Sequence, residues 1–178
     1  MRIISGTHKG RRLVAPKKLP VRPTTDRAKE ALFNILQHQW EWNTTSVLDL
    51  FAGTGSISYE FGSRGVKNIT AVDQNSSCIQ YIQKTSEKLH LSIHSVQSEV
   101  FKYLYASHSR FDLIFADPPY NMDAKDYFKL IDLIFEKDLL AEGGLLIVEH
   151  GEHMNFETHP RRSTVRKYGS NRFSFFEK

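Results

Sequence analysis

A single cysteine, Cys78, occurs among 178 residues, which excludes an internal disulfide and any cysteine-based metal cluster. No apolar run approaches the roughly 20 residues that a membrane-spanning helix needs. The opening MRIISGTHKGRRL is basic but has no apolar segment behind it, so it does not read as a secretory signal. These absences predict a soluble protein in a reducing, cytoplasmic setting. No repeat, low-complexity tract or Pro/Gly/Ser-rich linker divides the chain, whose length suits one compact core. His90 and His94 are four apart, but they straddle a helix–strand boundary without a nearby carboxylate motif, so no metal site is expected.

Charge is present in ordinary amount and unusual distribution. Residues 1–30 carry nine Lys/Arg against two Asp/Glu, and residues 158–178 carry six against one. The stretch between them is acidic, with nine against seventeen. Two basic ends beside an acidic body suit a phosphate-binding surface next to a catalytic centre. For Arg161, Arg162, Arg166, Lys167 and Arg172, RNA contact and a solvated edge that discourages strand pairing are equally good readings.

Arg2–Ser5 and Arg11–Ala15 read as two short strands of a basic hairpin turning through Gly6 and Gly10. Pro16, Pro20 and Pro23 then keep the chain extended. Thr25 and Asp26 can cap a helix with the apolar face Ala28, Leu32, Ile35 and Leu36. From Ser46 onward, strands and helices alternate. Strands are expected at Ser46–Phe51, Asn68–Val72, Leu91–Val96, Phe111–Ala116 and Leu145–Glu149, the last behind a Gly143-Gly144 turn. Helices are expected at Ile57–Arg64, Ser76–Leu89, Glu99–Ser107 and Asp126–Lys137. That order predicts a mostly parallel α/β sheet covered on both faces. Ser163–Tyr168 and Arg172–Glu177 are too close for a crossover, so they form a hairpin and the final strand runs antiparallel. His150 and His153 read as surface residues.

The first strand runs into Asp49-Leu50-Phe51-Ala52-Gly53-Thr54-Gly55, where two glycines permit a tight turn and expose bare backbone to a ligand. The second ends at Asp73-Gln74, and Asp73 is placed to accept hydrogen bonds from both hydroxyls of a ribose. A dinucleotide loop would need a third glycine at position 58, which is Ser58. Its absence favours a nucleoside cofactor without phosphates, such as S-adenosylmethionine, over a nicotinamide.

The fourth strand ends in Asp117-Pro118-Pro119-Tyr120. In an open α/β sheet this segment emerges at the carboxyl edge where ligands bind. The prolines stiffen it and remove two N–H donors, leaving acceptors. The lone pair of an exocyclic base amine is delocalised into the ring, so such an amine attacks poorly. The Asp117 carboxylate and the Pro118 carbonyl can each accept one of its N–H groups and aim the nitrogen at a sulfonium methyl. Tyr120 offers a face on which the base can stack.

With these residues in order, the chain resembles the RsmD family, bacterial methyltransferases of guanine N2 in 16S rRNA. The likeness spans nearly the whole chain. It lies in Arg2–Gly6, Gly10–Leu13, Arg22-Pro23-Thr24-Thr25-Asp26-Arg27, Glu30–Asn34, Asp49–Gly55, Ser63–Gly65 and Asp117–Tyr120. It implies a Rossmann-like, S-adenosylmethionine-dependent methyltransferase fold. The sheet would be seven-stranded, with an N-terminal hairpin (1–22) on a catalytic domain (23–178). The resemblance also implies that Thr25 and Arg27 line the pocket where cofactor and target base meet; Arg11 and Arg12 of the basic hairpin are expected to grip the RNA, with Arg22 also on the substrate side. The partner would be 16S rRNA or a 30S assembly intermediate, met by a monomer. Where that family has Asn-Ala or Asp-Ala near the adenine, this chain has Ser98-Glu99. Two alternatives remain: an adenine-N6 methyltransferase, because Tyr120 does not select guanine, and a non-catalytic RNA-binding assembly factor.

Overall fold

The computed structural model describes residues 1–16, 19 and 25–178. Arg22, together with Pro20, Pro23 and Thr24, lies outside the described residues. In chain order the elements are α1 (Asp26–Leu36), β1 (Ser46–Leu50), α2 (Ser56–Ser63), β2 (Asn68–Asp73), α3 (Ser76–Leu89) and β3 (Ile93–Gln97). There follow α4 (Val100–Ala106), β4 (Phe111–Ala116), α5 (Ala124–Glu136), β5 (Leu140–His150), β6 (Arg162–Tyr168) and β7 (Asn171–Glu177).

The strands form one seven-stranded sheet in the order β3-β2-β1-β4-β5-β7-β6. β1 to β5 pair in parallel. β7 runs antiparallel to both β5 and β6, as the short connection between the last two strands requires. The strand order reverses between β1 and β4, which opens a crevice at their carboxyl ends.

Successive side chains of a strand point to opposite faces, so each strand feeds two cores. Leu48, Leu50, Ile114, Ala116, Leu146 and Val148 pack with Tyr127, Leu130, Ile131 and Ile134 of α5. On the other face Val47, Leu113, Phe115 and Ile147 pack with Leu32, Phe33 and Leu36 of α1 and Ile57 and Phe61 of α2. The Phe33 and Phe61 rings meet edge-on at 4.6 Å and tie the two helices together. Burying one such side chain contributes about 1.5–3 kcal/mol.

Three expectations need correction. The N-terminal hairpin is shorter than expected: around the antiparallel Arg2–Arg12 bridge, backbone hydrogen bonds join Met1 to Leu13 and Ile3 to Gly10 and Arg11, and pairing stops at Ile3. The amides of Ile4 and Ser5 turn away to donate to the Glu60 carboxylate at 2.8 and 3.0 Å, which ends the ladder. Second, β5 begins at Leu140 and runs through Gly143 and Gly144. Phe111 pairs with Leu140 but Leu113 with Leu145, so the glycines form a bulge inside the strand rather than a turn before it. Third, the inner face of α1 includes Lys29 and Phe33, both fully buried, while Ile35 is only half-buried.

Candidate active site

At the end of β1 the chain reverses tightly. Phe51, Gly53 and Gly55 all adopt positive φ (59°, 53° and 79°), and the Gly55 amide donates to the Ala52 carbonyl at 2.7 Å. A side chain at Gly55 would come within 2.9 Å of both Ile82 and Tyr59, so glycine is needed there for space as well as for backbone conformation. Phe51 takes the same left-handed conformation with a side chain, a strained choice at a site-forming turn.

Asp73 secures this turn from β2. Its Oδ2 accepts the Gly53 N–H at 2.8 Å and its Oδ1 accepts the Asn75 N–H at 2.8 Å. A carboxylate has about four acceptor positions, so each oxygen keeps one for a ribose hydroxyl. Gln74 beside it is exposed. The Ser98 amide joins this rim by donating to the Asp73 carbonyl at 3.0 Å. Glu99 spends its carboxylate as the N-cap of α4, accepting from Phe101 and Lys102 at 2.9 and 2.8 Å. Thr54 is buried, and its hydroxyl meets the Met1 sulfur at 3.7 Å.

Asp49 lies beneath the turn, 2% exposed, with Oδ2 accepting from Ser58 N and Oγ at 3.1 and 2.6 Å. It therefore holds the first turn of α2 from below. Burial pushes its carboxyl up to about 7, against the two Ser58 hydrogen bonds. Ser58, which stands where a dinucleotide loop needs glycine, thus has a positive role.

The Asp117-Pro118-Pro119-Tyr120 segment emerges from β4 across the crevice, with the Asp117 amide still donating to the Leu50 carbonyl at 3.3 Å. Pro118 is buried, and the Pro119 carbonyl accepts from Met122 at 2.8 Å, which closes the turn. Tyr120 is 78% exposed. Its ring meets His153 edge-on at 4.9 Å and covers Gly151, where a Cβ would lie 3.0 Å from it. The exposed face is free to receive a planar ligand.

One neighbour of Asp117, Glu149, escaped the reading of the sequence. Glu149, near the end of β5, is only 6% exposed and accepts from Asn171 Nδ2 at 2.6 Å. Ala116 pairs with Val148, so Asp117 and Glu149 follow side by side on adjacent parallel strands and share a face with Asp49. Burial first, then the charges of Glu149 and Asp49, raise the Asp117 carboxyl well above the ordinary range. A Glu ending an apolar strand beside the motif was the available signal. His150 was expected at the surface, but it is 5% exposed, with Nε2 2.8 Å from Ser174 Oγ.

The basic residues divide. Arg11 and Arg12 are exposed on the arm, Arg27 is exposed on α1, and Thr25 caps α1 by accepting from Ala28 N at 3.2 Å. The arm is fastened to α2 by buried charge. Lys29 Nζ, 1% exposed, donates to the Arg2 carbonyl at 2.6 Å and to Ser56 Oγ at 3.1 Å, and lies 3.8 Å from Glu60. Desolvation lowers the Lys29 ammonium, opposed by the charge of Glu60.

A reversing parallel sheet, a glycine turn after β1, an acidic residue after β2 and D-P-P-Y after β4 define the Rossmann-like fold of S-adenosylmethionine-dependent methyltransferases. The family described as Conserved hypothetical protein 95 matches residues 1–177. Ribosomal RNA small subunit methyltransferase D of Haemophilus influenzae is 34% identical over 159 residues, covering 84% of this chain and 78% of its own. The protein of the same name from Escherichia coli K12 is 31% identical over 150 residues, covering 84% and 74%. The solved structure of a hypothetical protein from Thermus thermophilus superposes with a TM-score of 0.86 at 26% identity, covering 100% of this chain and 99% of that one. The chain belongs to the RsmD family of methyltransferases.

Proposed function

We propose that this protein transfers a methyl group from S-adenosylmethionine to the exocyclic N2 amine of a guanine in small-subunit (16S) ribosomal RNA, in the cytoplasm and as a monomer. The observation that carries the reading is the Asp117–Tyr120 wall standing at the carboxyl end of β4, across the crevice from the Gly53–Gly55 turn. The residues around that turn suit the cofactor. Gly53 and Gly55 offer bare backbone, Asp73 keeps acceptor capacity for a ribose, and Ser98 stands on the rim where an adenine would lie. The bound cofactor would supply a methyl group on a sulfonium, already a good leaving group.

The protein's part is alignment and electrostatics. The Asp117 carboxylate and the Pro118 carbonyl accept the two N–H groups of the amine, and Tyr120 stacks on the base. By the family resemblance, Thr25 and Arg27 would line the pocket where cofactor and target base meet. Residues 1–22 serve as an RNA-gripping arm on the catalytic domain 23–178, with Arg11 and Arg12, and Arg22 by resemblance, toward phosphates. The names of the relatives, which specify small-subunit ribosomal RNA, support an RNA substrate. Guanine N2 rests on the family resemblance, because the D-P-P-Y wall would also suit an adenine N6 amine.

The test is incubation with labelled cofactor and small subunits from cells lacking the gene, followed by identification of the modified nucleoside. N2-methylguanosine is expected; N6-methyladenosine would overturn the base assignment. Asp117→Ala should lower turnover by roughly 10²–10³, the cost of losing one preorganised partner, while RNA affinity holds. A fully active variant would remove Asp117 from the reaction.

A further inference from the structure

We propose that Glu149 is a positioning residue that works through Asp117: side by side on β5 and β4, the two carboxylates make Asp117 the acceptor of the proton that the methylated amine sheds. This rests on the amine-methylation reading and deepens it.

In the transfer, the amine nitrogen forms a bond to the methyl carbon as the C–S bond breaks, and that bonding pair leaves with sulfur as a neutral thioether. The nitrogen is left cationic and must release one of its two protons. The Pro118 carbonyl cannot take it, since a protonated amide is far too acidic. A carboxylate of ordinary aspartate basicity is a weak acceptor at neutral pH. One with raised proton affinity comes close to the match that favours general-base transfer.

The fold arranges that affinity by position. Asp117 and Glu149 come one residue after the Ala116–Val148 pair, so they emerge on one face of adjacent parallel strands. Like charges so placed resist ionising together and share a proton. Glu149 is 6% exposed and is held by the Asn171 amide at 2.6 Å, a donor suited to a carboxylate. Asp117 carries the acceptor role because it lies in the motif facing the crevice.

The other groups facing the pair follow the same pattern. Asp49 of β1 adds a second negative neighbour to Asp117. The Tyr127 hydroxyl of α5 is pushed up to about 12 by burial and by the charges of Asp117 and Glu149, so it stays neutral. On β7 the adjacent basic side chain, Arg172, lies 3.6 Å from Glu152.

The experiment is pH-difference infrared spectroscopy of the cofactor-free protein, following the carboxylic C=O band that Asp117→Asn removes. In the wild type that band should persist at pH values where ordinary aspartates have ionised. In Glu149→Gln it should disappear about one pH unit lower, a tenfold fall in proton affinity, and Glu149→Asp should restore the wild-type midpoint. The acid limb of turnover should move with the band. An Asp117 midpoint identical in wild type and Glu149→Gln overturns the proposal even if methylation is normal. A shifted band in a wild-type protein that methylates no base amine would instead sink the functional reading, and the acceptor role with it.

Discussion

The two ends of the chain carry similar excess positive charge, but the fold treats them in opposite ways. At the C-terminal end four of the six Lys/Arg are occupied locally. Arg161 lies over the Phe135 ring at 4.6 Å, Lys167 and Arg172 lie 2.8 and 3.6 Å from Glu152, and Lys178 pairs with Asp138. At the N-terminal end Arg2 lies 3.3 Å from Asp26, and otherwise it is the backbone that is occupied. Glu60 takes the amides of Ile4 and Ser5, Lys29 takes the carbonyl of Arg2, and Ser63 takes the amides of Thr7 and His8 through its carbonyl and hydroxyl. Lys9, Arg11 and Arg12 are left exposed on a rigid mount. The difference teaches that a charge count locates basic regions without saying which of them is presented to a partner. An anchored backbone with exposed cations suits phosphate contact. Paired cations on an edge strand suit solubility and protection of that edge.

Three changes would break or sharpen this contrast. The largest effect is expected at Glu60→Ala, which leaves the Lys29 ammonium buried without its counter-charge and frees two arm amides. Losses of about 3–5 kcal/mol are typical when one partner of a buried pair is removed. Denaturant unfolding should show the loss, and hydrogen exchange at Ile4 and Ser5 should become fast. If both amides stay protected, the arm is held by something else.

An intermediate effect is expected for the Arg11→Ala, Arg12→Ala double variant. RNA affinity should weaken, and its salt dependence should flatten by about 0.7–0.9 log units per lost phosphate contact. The matched variant Lys167→Ala, Lys178→Ala, which removes two paired cations, should keep the wild-type slope. Equal slopes for the two variants would erase the distinction between the ends.

The smallest effect is expected at Glu152→Gln. This removes an exposed carboxylate held below its usual range by a hydrogen bond from Lys167 and by the charges of Lys167 and Arg172. Exposed pairs contribute little, so the thermal midpoint should stay within experimental scatter. A clear fall would give the C-terminal cations a structural weight that their exposure argues against.

Much of the fold was legible because local rules agreed with tertiary packing. Ser76–Leu89 and Phe111–Ala116 fall where periodicity puts them, and the close spacing of the last two strands forces the antiparallel pairing. The turn at Gly53 and Gly55, and the position of Asp117 at the end of β4, could be read from motif order. Glu149, Lys29 and the docking of the N-terminal hairpin on α2 could not. Each is polar, and each is placed by contacts with residues distant in sequence: Asn171, Glu60 and α2 respectively.

The order of residues alone determined the alternation of strands and helices, the glycine turn and the proline-stiffened carboxylate, because each follows from backbone preference or from a period of a few residues. Tertiary structure alone decided which charges are buried, which carboxylates become neighbours and which basic end stays open. Those outcomes depend on desolvation and on distances across the sheet, which no local pattern encodes.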